Sequence, residues 1–308
     1  MLVAIRLLSV EQTELPSRIS DFFTLTFSVL VESLPFVILG VLLSIAVQVW
    51  LPAGVIERLL PQNAVGRRAC ISLLGMLVPV CECGNVPLAR GLLMRGFTPA
   101  ESITFVLAAP ILNPIVIVTT HQAFGWEGGV LIWRLIGGFL LANLAGWFFS
   151  RRPLRDNMLT ARFAATCEAE QHLEGTRVSR SLTQFRTETA AVMPALILGC
   201  ALAGAVQVFV PRDLLTSVGK DPLLSVAAMM FLAVIVSICS SVDAFFALSF
   251  SATFLPGALV AFLVLGPVID IKMLALLRST YRTRVLVQLC IIAGLFVGAL
   301  GVAVNLLG

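Results

Sequence analysis

Cys81 and Cys83 flank Glu82 in the run Pro79-Val80-Cys81-Glu82-Cys83-Gly84-Asn85-Val86-Pro87, which interrupts an apolar stretch. Two Pro and one Gly in nine residues work against a continuous helix. The thiols therefore belong on a turn, from which both sulfurs can face one centre. Thiolates are the natural ligands of soft metals and metalloids. A third thiol, Cys239, opens a matching break, Cys239-Ser240-Ser241-Val242-Asp243. Convergence of Cys81, Cys83 and Cys239 would make a three-thiolate site suited to a trivalent arsenical, mercury or Cu(I). Adding Glu82 or Asp243 would admit zinc. The plainer expectation is that these cysteines are small packing residues at a tight turn.

Polar residues gather at the same places. Glu82, Asn85, Asn113, Asp243 and Asp270 lie at or beside breaks, the last two of which are Ala108-Ala109-Pro110-Ile111-Leu112-Asn113-Pro114 and Gly266-Pro267-Val268-Ile269-Asp270. An ionisable group inside a span is costly, so it usually faces a cavity or a partner and marks a pathway. Asp243 and Asp270 could accept a proton or cation, while Asn85 and Asn113 would offer uncharged hydrogen bonds. The local alternative is that Asp and Asn cap half-helices restarting after each break. Arg90 and Arg95 are expected to snorkel to the interface, the alternative being an anionic ligand. Glu101 is expected to cap or pair near the start of its helix. Gln48 and Gln207 either hydrogen-bond between the two halves or pack. His121 and His172 have no metal-ligand spacing between them.

The elements that hold these residues are set by composition. The chain has 308 residues, 58% apolar and 12% charged, with a mean hydropathy of +1.00. A soluble domain carries about 25% charge, so a soluble enzyme is excluded, and disorder needs the opposite composition. Twenty-three Gly and 15 Pro argue against a long coiled coil. An all-α, polytopic membrane protein remains, with room for about eight spans. Seven Cys, most in apolar stretches, do not form a complete disulfide framework. No nucleic-acid module and no Walker A loop is present, and no cofactor is implied.

The chain falls into two halves. Pro35–Pro52 (PFVILGVLLSIAVQVWLP) matches Pro194–Pro211 (PALILGCALAGAVQVFVP) at 10 of 18 positions. Cys81 then falls on Cys239, Asn85 on Asp243, Pro99 on Pro256, and Asn113 on Asp270. Paired repeats broken by Gly or Pro at matching places point to a transporter's substrate site. The expected organisation is an amphipathic lead-in over 1–21, a first transmembrane repeat over 22–150, a linker over 151–183, and a second repeat over 184–308. Each repeat holds four hydrophobic segments with broken or re-entrant helices. If every long segment crosses, the 21 basic residues divide 11 to 10 between the two sides. If 69–96 and 222–254 are re-entrant, 16 fall on one side, Arg90 and Lys272 among them, and five on the other, Arg134 among them. The positive-inside tendency prefers the second arrangement, which inverts the repeats and places the linker in the cytoplasm.

The string PVCECGNVPLARGLLMRGFTPAESITFVLAAPILNPIVI resembles the DUF318, or UPF0718-type, family of predicted permeases, which includes organoarsenical efflux permeases. The resemblance rests on the C-x-C-G…P turn, the G-x-x-P-x-x-A step and the A-A-P-I-x-N-P run, and it covers both halves. It implies an integral permease of the bacterial inner membrane with duplicated halves. The characterised branch exports trivalent organoarsenicals with thiols implicated, which would point to Cys81, Cys83 and Cys239. Some members look like one half of a two-component permease with a small membrane partner. The expectation is a permease moving a small solute, a soft metal or metalloid compound, past Cys81, Glu82, Cys83, Asn85, Asn113, Cys239, Asp243 and Asp270. The alternative is a membrane thiol redox protein or enzyme using Cys81 and Cys83.

Overall fold

A computed structural model describes residues 17–52, 60–77, 80–151, 158–170, 176–209 and 221–307. Residues 1–16 of the lead-in, Pro79, Pro211, 152–157 and 171–175 of the charged linker, His172 among them, and Arg6, Arg58, Arg152, Arg155, Arg212 and Lys220 of the charge count lie outside the described residues. The described residues are helical apart from turns and one isolated bridge, Leu159 with Tyr281.

The first half begins with α1 (Ser17–Ile45), extended by a π turn over Ala46–Trp50. It continues with α2 (Ala64–Leu74), α3 (Glu82–Met94), α4 (Pro99–Ala108), α5 (Pro114–Phe124) and α6 (Val130–Ser150). A linker helix, α7 (Ala161–Glu170), follows. The second half is α8 (Arg177–Phe209), α9 (Pro222–Val236), α10 (Asp243–Leu248), α11 (Pro256–Leu265), α12 (Ile271–Arg278) and α13 (Thr283–Leu307). The halves run through the same order: a long helix, two short helices about a break, two more about a second break, and a long helix.

Among the described residues, four stretches are long and apolar enough to cross a membrane: Ile19–Trp50, Val130–Ser150, Arg177–Val208 and Thr283–Leu306. The other described apolar segments are short helices: Gly75 follows α2, and Pro110 and Pro267 lie in the breaks after α4 and α11, whereas 237–242 between α9 and α10 holds neither Pro nor Gly. Their starts are written in the sequence. Thr98 and Glu101 form a reciprocal capping box with Pro99 in the first turn of α4. Asn113 and Asp270 accept backbone N–H bonds at the starts of α5 and α12, as Asp221 does for α9.

The breaks have matching backbone turns. The Cys81 carbonyl accepts from Gly84 N (3.1 Å) and Asn85 N (3.2 Å), and the Cys239 carbonyl from Val242 N (3.0 Å) and Asp243 N (3.1 Å). The Ala108 carbonyl accepts from Ile111 and Leu112, and the Leu265 carbonyl from Val268 and Ile269. These bonds satisfy backbone groups that could not be left free at membrane depth.

Packing places the broken helices inside. α1 lies against α8, α6 and α13 each flank a short helix (α4 and α11), and α3 meets α12 while α5 meets α10 across the halves. On α6, Ile132, Ile136, Leu140 and Leu144 face outward, whereas Arg134, Gly137, Gly138, Ala142 and Ala145 are buried. Small residues inside and large apolar residues outside suit a helix between protein and lipid. The matched glycines Gly40 and Gly199 serve as seats. A Cβ on Gly40 would stand 2.1 Å from the carbonyl oxygen of Gly84 on α3, and one on Gly199 would stand 3.0 Å from Lys272 Cα on α12. The long helices thus press backbone to backbone onto the two helices that carry Glu82 and Lys272.

Candidate functional site

The first break and its counterpart meet in the interior. Cys81, Glu82 and Cys239 are all buried, and one Sγ or carboxylate oxygen from each lies within 4.8 Å of the others. The Glu82 carboxylate accepts from Ser240 Oγ (3.1 Å) and Ser240 N (3.4 Å), and Cys239 Sγ stands 3.9 Å from it. Ser241 Oγ donates to Cys239 Sγ at 3.3 Å. The second break therefore wraps the Glu82 side chain with its own backbone and hydroxyl groups.

Sequence spacing alone did not supply the countercharge. Lys272 Nζ is 3.4 Å from Glu82 Oε1 and 3.8 Å from Asp270 Oδ2, and its side chain is 2% exposed. Asp270 Oδ1 accepts from Met273 N at 2.5 Å, while Oδ2 accepts no hydrogen bond. Asn85, one turn beyond Glu82 on α3, is fully buried with neither its amide N nor its O hydrogen-bonded. A buried amide left unpaired costs about 1–3 kcal/mol.

The remaining expected site residues separate. Cys83 lies beside the Cys81 thiol without being within 4.8 Å of every member of the Cys81–Glu82–Cys239 group, and its own thiol lies 3.7 Å from Ser33 Oγ on α1. Asn113 caps α5 and donates to the Val80 carbonyl at 2.8 Å, tying the α4–α5 break to the first break. Asp243 pairs with Arg134 of α6: Nη1 to Oδ1 at 2.9 Å and Nη2 to Oδ2 at 2.6 Å, with Nη1 also donating to Thr120 Oγ1 at 2.8 Å. Capping therefore accounts for part of Asn113 and Asp270, and an ion pair for Asp243.

Three arginine and lysine expectations are corrected. Arg90 does not snorkel. It is buried, donates to both Glu188 carboxylate oxygens (2.7 and 3.3 Å), and stacks 4.2 Å from the Phe163 ring centroid. Arg134 and Lys272, counted as loop charges, are buried among the helices. A long side chain snorkels only when its stem points to the interface, and these three meet a carboxylate first. Glu101 both completes its capping box and pairs with Arg67 at 2.5 Å. Gln48 accepts a hydrogen bond from Gln184 of α8, bridging the halves, whereas Gln207 donates to the Val236 carbonyl at 2.7 Å.

Three buried pairs join one half to the other, Glu82 with Lys272, Asp243 with Arg134, and Glu188 with Arg90, while Lys272 also lies 3.8 Å from Asp270 within its own half. Apolar helices around a centre of broken helices, thiols and charges define an integral membrane protein of the transporter kind. The particular family follows from comparison: the chain belongs to the ArsP_1 family of predicted permeases, whose model matches residues 18–306. It is 36% identical over 264 residues to UPF0718 protein YcgR of Bacillus subtilis, covering 83% of this chain and 87% of that one. It is 32% identical over 278 residues to a Streptococcus mutans protein described as a candidate subunit of a two-component membrane permease complex, covering 89% and 91%. UPF0718 protein YraQ of Escherichia coli is 27% identical over 107 residues, 35% of this chain and 30% of that one. No solved structure matches the chain. Membership in a permease family lends no support to the redox alternative.

Proposed function

We propose that the chain is a permease that passes a small thiophilic solute, a soft metal ion or a metalloid such as an organoarsenical, through the centre where the broken helices meet. The observation that carries this reading is the meeting of Cys81, Glu82 and Cys239, drawn from both halves, within 4.8 Å in an apolar interior. Two sulfurs and a carboxylate at that spacing are a donor set for a soft or borderline ion. The unpartnered amide of Asn85 supports a polar solute there. Asp270, Asn113, Asp243 and Cys83 form the surround of the pathway.

The halves 22–150 and 184–308 act as inverted repeats that move about this centre. The identical element order and the duplicated backbone turns at the breaks support duplication. The membrane is the bacterial inner membrane, with 151–183 in the cytoplasm. Setting aside the buried Arg68, Arg90, Lys272 and Arg134 leaves a basic bias of 13 to 4 in favour of that orientation. A small membrane partner completes the permease, in line with the description of the Streptococcus mutans relative.

Uptake and efflux of trivalent methylarsenite, zinc and copper in everted vesicles test the reading. Thiol-dependent movement of one of them, lost in Cys81→Ser/Cys239→Ser and impaired in Asp270→Asn, is the expected result. Movement of every panel solute unchanged by removal of both thiols would overturn it.

A further inference from the structure

We infer that Lys272 is a tethered counter-cation that trades places with the permeating solute, which makes that solute a thiophilic divalent cation. The inference rests on the permease reading and deepens it at the same site. The donor geometry carries the first part. Cys83 adjoins Cys81 but also reaches Ser33, and the donors that all lie within 4.8 Å of one another are Cys81, Cys239 and Glu82. Two thiols and one carboxylate remain, a mixed sulfur and oxygen set that suits ions such as Zn(II) and Cd(II).

Lys272 carries the second part. A buried carboxylate needs a countercharge, and at Glu82 the protein supplies it by one loose contact of 3.4 Å. A second seat stands ready: Asp270 Oδ2 lies 3.8 Å from the same Nζ and accepts no hydrogen bond. Asp270 Oδ1 is held by the first turn of α12, so the carboxylate is fixed in place. Lysine is a compact charge on a flexible stem and can move from one carboxylate to the other without moving backbone. The contrast lies at the repeat-related break, where Asp243 is clamped by both Arg134 nitrogens and by no mobile cation.

Charge is conserved through the exchange. Each thiol that ligates the ion releases its proton, so one divalent ion replaces two protons. Glu82 passes from the ammonium group to the ion, Lys272 passes to Asp270, and the buried cluster keeps its net charge. In a low-dielectric interior, an exchange that leaves net charge unchanged avoids the large cost of an uncompensated ion. When the ion leaves, Lys272 returns to Glu82 and closes the site.

The test uses the full-length protein in detergent or nanodiscs, with Cd(II) binding followed by the ultraviolet thiolate-to-cadmium absorption and Zn(II) as competitor. Removing the tethered cation in Lys272→Met is expected to tighten Cd(II) binding by about tenfold or more while slowing its release in vesicle transport. Removing the second seat in Asp270→Asn is expected to weaken binding by about tenfold. Cys81→Ser/Cys239→Ser should abolish the signal. Unchanged or weaker binding in Lys272→Met, with the thiols still required, would sink the exchange and leave the site reading intact. Cd(II) binding that survives removal of both thiols would sink the site itself. Should Lys272→Met not fold, Asp270→Asn decides alone, because unchanged or tighter binding contradicts a second seat.

Discussion

Arg134→Met tests how Asp243 is held. The guanidinium meets both carboxylate oxygens, at 2.9 and 2.6 Å, and the two side chains are 0% and 3% exposed. At 2.6 Å, with an effective dielectric constant of about 20, the attraction is ~6 kcal/mol. Desolvation costs several kcal/mol per ion, so the pair as a whole is worth little. Removing one partner is different, because the other is left charged and buried at a cost of about 3–5 kcal/mol. Arg134→Met is therefore expected to lose that much stability, and Thr120 Oγ1 loses its donor as well. Asp243→Asn should be similarly damaging because it strands Arg134. The double variant Arg134→Met/Asp243→Asn should recover most of the loss, with a coupling energy of about 2 kcal/mol or more. Reversible unfolding in SDS, followed by tryptophan fluorescence, gives the four corners of the cycle. Single losses under about 1 kcal/mol, or a double variant equal to the sum of the singles, would refute the buried-pair account. Transport by the double variant then separates roles: activity retained marks a structural pair, and activity lost with stability restored marks a working member of the pathway.

Three further outcomes are expected. Gly40→Ala drives a methyl into the Gly84 carbonyl, which is backbone and cannot swing aside; it should cost about 1–3 kcal/mol, whereas Gly294→Ala, with nothing within 4 Å, should stay within about 0.5 kcal/mol, both read as unfolding shifts. Arg90→Lys keeps the charge but loses the two-oxygen grip on Glu188 and the stack on Phe163; a loss of about 2 kcal/mol or more is expected in the same assay. Maleimide labelling read by mass spectrometry should modify the half-buried Cys70, Cys167 and Cys290 before the buried Cys81, Cys83, Cys200 and Cys239; zinc should slow Cys81 and Cys239 while leaving Cys83 and Cys200 unchanged.

Local features were legible in the sequence and long-range partners were not. Pro99 after Thr98, Asn113 before Pro114, and Asp221 before Pro222 announce helix starts through chemistry confined to a few residues. The second break of each half was readable for the same reason, since Pro110, Pro114 and Pro267 act on their own backbone, whereas α3 runs through Gly84 and Pro87 and 237–242 holds neither residue type. Cys81 and Cys239 could be paired because the repeat puts them in register. Nothing local links Glu82 to Lys272, 190 positions away, or Asp243 to Arg134, 109 positions away. The repeat gives no help there either, because the position matching Lys272 is Ile115 and the position matching Arg134 is Ile291. Charge counting then misled, since it treats every basic residue near a helix end as a loop residue. A usable signal existed: Arg134 stands four residues into an otherwise apolar helix with no acidic neighbour within a turn, so its countercharge had to come from elsewhere in the fold.

The asymmetry of the charges bears on how two similar halves can make one pathway. Between helices in lipid there is little hydrophobic drive to associate, so close backbone contact and polar links hold them together. Gly40 and Gly199 supply the close contact at matching positions, one on α3 and one on α12. The polar links between the halves are not matched, because Glu82–Lys272, Asp243–Arg134 and Glu188–Arg90 have no charged repeat-mate pair. Arg134–Asp243 and Arg90–Glu188 are two-oxygen grips, which resist sliding because both bonds must break together. Glu82–Lys272 is a single contact of 3.4 Å, and the same Nζ lies 3.8 Å from Asp270 Oδ2. A duplicated fold with two rigid bridges and one loose bridge concentrates its freedom at the loose one. That is where the thiols of both halves meet.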